Sequence, residues 1–211
     1  MSSERHLGAR PGGAVAADPG EGAHLAVLYS DPQDRDATLV PYLAGALDHG
    51  EGAVCVTADD PELLGRQIRG AAGRDGSVQV LRTAETYLRG GRFSAPAMAG
   101  WLADLTAQAP AGSDAPRLRI AGDLNWIDVL DADGLVELFR YEATLSTFAP
   151  AGRHSLVCFY DLRLLPAAAV VEVLRTHPKA MLGGALWDSP FYVPAALRPL
   201  QLPVPGSADD N

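Results

Sequence analysis

Five segments of this chain end apolar runs with side chains suited to holding a small molecule. They are Tyr29, Ser30 and Asp31; Thr57, Asp59 and Asp60; Asp123, Asn125 and Trp126; Tyr160 and Asp161; and Trp187 and Asp188. Aromatic faces beside carboxylates suit a neutral or cationic, partly apolar ligand, and these segments contain no lysine or arginine. Two more polar residues sit where burial is expected: Arg119 within an apolar run and Glu142 within a helical pattern. A buried polar group needs a partner, so these two serve either each other or a ligand. The candidate ligand-binding set is therefore Tyr29, Arg119, Asp123, Trp126, Glu142, Tyr160, Asp161 and Trp187.

Bond-making chemistry finds less support. A phosphate-binding loop needs glycines and a lysine, whereas the first such turn reads Ser30-Asp31-Pro32-Gln33-Asp34. Its acids would repel phosphate at a helix N-terminus and serve better as caps. Ser30, His177 and Asp161 are the ingredients of a hydrolytic triad, but no GxSxG elbow surrounds any serine. No catalytic residue is assigned and the chain is expected not to be an enzyme. His24, Cys158 and His177 are ingredients of a transition-metal site, yet their spacing matches no metal motif. His24, at the start of its run, is also expected at the opposite edge of the sheet from Tyr160, so no metal ligand and no cofactor is assigned. A Cys55–Cys158 disulfide requires their two strands to be neighbours.

The elements that position these residues alternate in period. Apolar runs at His24–Tyr29, Ala53–Thr57, Val78–Leu81, Leu118–Gly122 and Ser155–Tyr160 read as strands, with a last strand at Ala180–Trp187. Helical spacing marks Pro32 to about His49, a helix opening at Pro61, Ser94–Gln108, Asp131 to about Phe148, and Pro166 to about Thr176. Gly183-Gly184 falls within the last run and suggests a bulge or close packing. Five or six strands with interleaved helices predict an α/β three-layer sandwich around a mostly parallel sheet. Ligands of such sheets bind beyond the carboxyl ends of the strands, where the segments above lie.

The 211 residues, 47% hydrophobic and 20% charged, suit one domain at 23–198 between a disordered leader over 1–22 and an acidic tail over 199–211. With 17 basic against 26 acidic residues, a formal charge of −9 and a single lysine, Lys179, neither nucleic acid nor an anionic membrane is an expected partner. Two cysteines do not make a disulfide framework. No apolar run reaches the ~18 residues of a membrane span. A cytoplasmic location is the expectation.

In order and spacing, several segments resemble the MEDS domain, the sensory family named from methanogens, methylotrophs and the dichloromethane-dehalogenase regulator. They are His24 to Tyr29, Tyr87 to Phe93, Arg119-Ile120, Trp126, Tyr141-Glu142, Cys158 to Asp161, and His177-Pro178. The resemblance covers roughly residues 24–195. It implies a RecA/KaiC-like fold without its ATP-binding loop, and a role in sensing small molecules, hydrocarbon derivatives among them. The regulator that names the family carries a helix-turn-helix, whereas here about 23 residues precede the domain, so output is expected through another protein. An anti-sigma factor or histidine-kinase-like regulator in transcriptional control is the partner class implied. Self-association is left open, and a ligand-free interaction module or a Cys/His-based redox or metal sensor are the alternative readings.

Overall fold

A computed structural model describes residues 19–108, 117–152 and 154–197. The tail expected over 199–211, and all of the leader except 19–22, lie outside these.

The strands are β1 (His24–Tyr29), β2 (Gly52–Thr57), β3 (Val78–Arg82), β4 (Leu118–Asp123), β5 (Ser155–Asp161), β6 (Lys179–Leu182) and β7 (Ala185–Asp188). The helices are α1 (Pro32–Asp48), α2 (Pro61–Ala71), α3 (Ala95–Ala107), α4 (Ala132–Gly152) and α5 (Ala167–Thr176). The sheet runs β3-β2-β4-β5-β1-β6-β7, and every pairing is parallel except β6 with β7. The expected three-layer α/β sandwich is therefore present.

Local chemistry explains the helix starts. Asp31 accepts a 2.8 Å hydrogen bond from the Gln33 N–H, and Asp60 caps the Pro61 helix by accepting from the Glu62 N–H at 2.9 Å. Each thus satisfies one of the backbone donors that a helix start leaves open.

Two apolar layers lie against opposite faces of the sheet. Leu39, Leu43 and Leu47 of α1 and Leu64 and Ile68 of α2 pack with Val27, Cys55 and Phe159. Met98 and Leu102 of α3, Leu138 and Leu145 of α4, and Ala169 and Val173 of α5 pack with Ala26, Leu28, Ile120 and Cys158. Strand alternation thus sorts neighbouring residues to different layers.

The last expected strand is two. Gly183 and Gly184 take φ of 56° and 73° and turn the chain into an antiparallel hairpin. Two consecutive positive-φ residues are what a tight type I′ connection demands, and Gly-Gly meets that at no steric cost. The bulge expectation is corrected accordingly, and the strand count rises to seven.

The crossovers define a crevice. From β1, α1 passes over one face to reach β2, beyond β5 and β4. From β5, α5 passes over the other face to β6, beyond β1. Such a reversal leaves a gap beside the carboxyl ends of the strands concerned.

Candidate functional site

A cleft of about 410 Å³ lies at the carboxyl ends of β1 and β6. Tyr29, Ser30 and Met181 line it with Asp34, Thr38 and Pro41 of α1, and the Gly183-Gly184 turn forms its rim. Of the expected ligand-binding residues only Tyr29 belongs to its lining.

Beside the cleft lies a charged cluster on the α1 face of the sheet. Asp123, fully buried at the end of β4, accepts from Tyr29 Oη at 3.2 Å, Thr57 Oγ1 at 3.1 Å and Arg35 Nη1 at 2.8 Å. The same guanidinium reaches Asp59 at 2.6 Å and Asp36 at 2.8 Å, while Asn125 donates to Asp59 at 3.2 Å. Burial raises the Asp123 carboxyl to about 6, against the pull of Arg35 and the Thr57 and Tyr29 hydroxyls. Burial and Asp123 together raise the Tyr29 phenol, which stays protonated. Asp161 is held below its ordinary value by hydrogen bonds from Arg163, burial opposing, with the Nη2–Oδ2 contact at 2.5 Å. The strand-end segments themselves hold no basic residue, but Arg35 and Arg163 reach their carboxylates from outside them. Arg35 comes from one helical turn inside α1, a position the strand-end residues do not reveal.

The remaining expected residues scatter. Arg119 does not pair with Glu142. It lies near the amino end of β4, where its Nε donates to Glu51 Oε2 at 2.6 Å and its guanidinium stacks 5.8 Å from the Tyr42 ring. Trp187 is not at the carboxyl edge either: the hairpin reverses β7, so Trp187 pairs with Ala180 near the start of β6. Trp126 is buried against Tyr87 and Phe93, with ring centroids 5.1 and 6.1 Å away, and is core rather than cleft. Tyr160 turns to the α4–α5 face, fully buried, and its hydroxyl has no hydrogen-bond partner among the described residues.

That same face holds a second cluster. Glu142 of α4 points its carboxylate between His24 Nε2 at 3.4 Å and His177 Nε2 at 3.3 Å, while Cys158 Sγ stands 3.6 Å from His24 Nε2. All four residues are buried. His24 lies opposite Leu156 in register and Tyr160 opposite Leu28, so the two do begin and end their strands. The His177 ring nonetheless spans the interval, 4.1 Å from His24 and 5.6 Å from Tyr160. Burial pushes the Glu142 carboxyl up, but the two histidines more than reverse this and hold it at about 2. Burial and the neighbouring His177 lower His24 to about 4, against Glu142. Burial pushes the Cys158 thiol up, and the nearby Glu142 carboxylate adds to the rise. Sequence reasoning assembled three of the four and set them aside for their spacing. The available signal was parity, since His24 and Cys158 lie two residues from Ala26 and Tyr160 on one strand face.

Cys55 and Cys158 are both free and lie on opposite faces of the sheet, with β4 between their strands. The condition for bridging them is not met.

A family model described as MEDS, the MEthanogen/methylotroph, DcmR Sensory domain, matches residues 23–178. No curated protein matches the chain. Among solved structures it is similar to the flagellar accessory protein FlaH from Methanocaldococcus jannaschii, at 12% identity with a TM-score of 0.47. That alignment covers 79% of this chain and 76% of the other. No helix among the described residues is long and apolar enough to cross a membrane.

Proposed function

From the premise that the chain belongs to the MEDS family of sensory domains, we propose that it binds a small, partly apolar ligand without transforming it and signals through a protein partner in transcriptional control. The cleft at the carboxyl ends of β1 and β6 carries this reading. Its volume of about 410 Å³ falls within the range of small-molecule pockets. Met181, Leu182 and Pro41 offer apolar surface, and Asp34 and Thr38 offer polar contacts that favour a neutral or cationic guest.

The cleft also abuts a transmission route. Tyr29 forms its wall and donates to Asp123, and Asp123 shares Arg35 with Asp59. A guest that shifts Tyr29 or the first turns of α1 alters how Arg35 is divided between its carboxylates. Asp59 is half exposed, so the change reaches the surface a partner would read. The partner class favoured by the family resemblance is an anti-sigma factor or histidine-kinase-like regulator.

The test is amide NMR of the whole chain titrated with short-chain alcohols, alkylamines and haloalkanes. Saturable shifts at 27–41 and 181–184 are expected, and Ala37→Trp, which fills the cleft from the exposed side of α1, should abolish them. An unchanged spectrum across the series, or shifts that persist in Ala37→Trp, would remove the cleft as the sensing site.

A further inference from the structure

We propose that His24, Glu142, Cys158 and His177 form a closed four-coordinate site for a divalent, borderline-soft cation, zinc being the natural occupant. The argument begins with the protons. Ser146 donates its hydroxyl proton to the Thr176 carbonyl at 2.8 Å, so it accepts from His24 Nδ1, also at 2.8 Å. His177 Nδ1 lies 2.8 Å from the Val173 carbonyl, which can only accept. Both imidazoles therefore carry a proton on Nδ1, so that in its neutral form each turns an Nε2 lone pair inward. Metal-binding histidines are held in this way by an outer hydrogen bond.

The separations support the same occupant. Nitrogen-to-carboxylate hydrogen bonds between charged groups run near 2.7–2.9 Å, yet the two histidine–Glu142 distances are 3.3 and 3.4 Å. Neither Glu142 oxygen nor His177 Nε2 has a hydrogen-bond partner among the described residues. Bonds of about 2.0–2.3 Å to zinc, arranged tetrahedrally, place the ligand atoms about 3.3–3.7 Å apart. The 3.3, 3.4 and 3.6 Å separations are edges of that size, and all four ligand atoms lie within 4.8 Å of one another.

Charge balances too. On binding, Cys158 releases its proton to solvent, and thiolate plus carboxylate neutralise the dication, leaving no net charge in the core. Four protein ligands leave no open coordination position, which makes the site structural or metal-sensing rather than hydrolytic. It would tie β1, β5, α4 and the residue after α5 at one point, on the face of the sheet opposite the charged cluster beside the proposed cleft.

The experiment is to unfold the whole chain with chelator and refold it with cobalt(II) or zinc(II). Native mass spectrometry should find one metal per chain. The cobalt form should show the strong visible absorption of four-coordinate cobalt and a near-ultraviolet thiolate charge-transfer band. Cys158→Ser should remove that band, and Ser146→Ala, which leaves all four ligands in place, should weaken affinity roughly 10–100-fold. Chelation should lower the Tm of the zinc-refolded chain, and zinc should restore it. A folded chain that takes up no metal, whose Tm ignores both chelator and zinc, would overturn the proposal and leave a proton shared by the carboxylate and imidazoles as the occupant. Stoichiometric metal with unchanged spectra in Cys158→Ser would overturn the ligand set.

Discussion

Asp123 and Glu142 are both fully buried carboxylates on opposite faces of one sheet, and their surroundings are opposite in kind. Asp123 is ringed by donors: a phenol, a hydroxyl and a guanidinium. Glu142 faces the Nε2 atoms of two imidazoles and a thiol. The first cluster is complete as it stands, its charge shared with Arg35 and led to the surface through Asp59 and Asn125. The second converges on a point and calls for a cation or a proton to join it. A donor-filled pocket is built to transmit a displacement; an acceptor-filled one is built to hold something positive.

The largest expected effect breaks the donor side. Arg35→Met strands Asp123 as a buried charge and should cost about 3–5 kcal/mol in urea unfolding. Adding Asp123→Asn should recover most of it, because the uncompensated charge disappears. A double variant no more stable than the single one would mean that Arg35 matters for its packing rather than its charge.

The acceptor side should show in acid. In the metal-free chain, folded His24 titrates near 4 rather than at its ordinary 6.5 because of burial and His177, against Glu142. Unfolding therefore takes up a proton, and this contribution destabilises the fold progressively as pH falls from about 6.5 to 4. Glu142, held at about 2 once the histidines are protonated, keeps its charge through this range. Asp123, raised to about 6, acts in the contrary sense, relieving strain as pH falls below 6. Comparing Tm against pH for Asp123→Asn and the wild type isolates this: the variant should lose stability more steeply below pH 6. Parallel curves would remove the contrast between the two carboxylates.

Glu142→Gln should cost only about 1 kcal/mol in the metal-free chain, since the amide can donate to one inward lone pair, while abolishing metal uptake. A loss matching that of Arg35→Met would mean that a protonated histidine already balances Glu142. The smallest effect is expected for Tyr160→Phe. It removes a buried hydroxyl with no hydrogen-bond partner among the described residues and should leave the urea midpoint unchanged or slightly raised.

Much of this architecture is legible in the sequence. Short apolar runs bounded by turn residues mark five strands to within a residue or two. Of these, β1, β2, β4 and β5 are central strands buried on both faces and so largely apolar, while β3 is a half-exposed edge strand. Asp31-Pro32 and Asp60-Pro61 announce helix starts by their capping chemistry. The last run misleads because a Gly-Gly pair serves either a bulge or a turn, and only pairing decides which. Reading it as one strand carried Trp187 to the wrong end of the sheet.

The candidate sites divide along the same line. Residue type and strand parity, both local, determined that Tyr29, Thr57 and Asp123 could share one face and His24 and Cys158 the other. Local spacing also determined the acidic, glycine-free first turn that departs from a phosphate-binding loop. Only the tertiary structure decided that Arg35 reaches Asp123, that Arg119 belongs to Glu51 rather than Glu142, and that Glu142 meets His24 and His177. Those contacts depend on strand order and on how helices cross the sheet. The order β4-β5-β1-β6 pairs residues as far as 154 positions apart, Leu25 with Lys179, and no local pattern encodes which of the possible neighbours will meet.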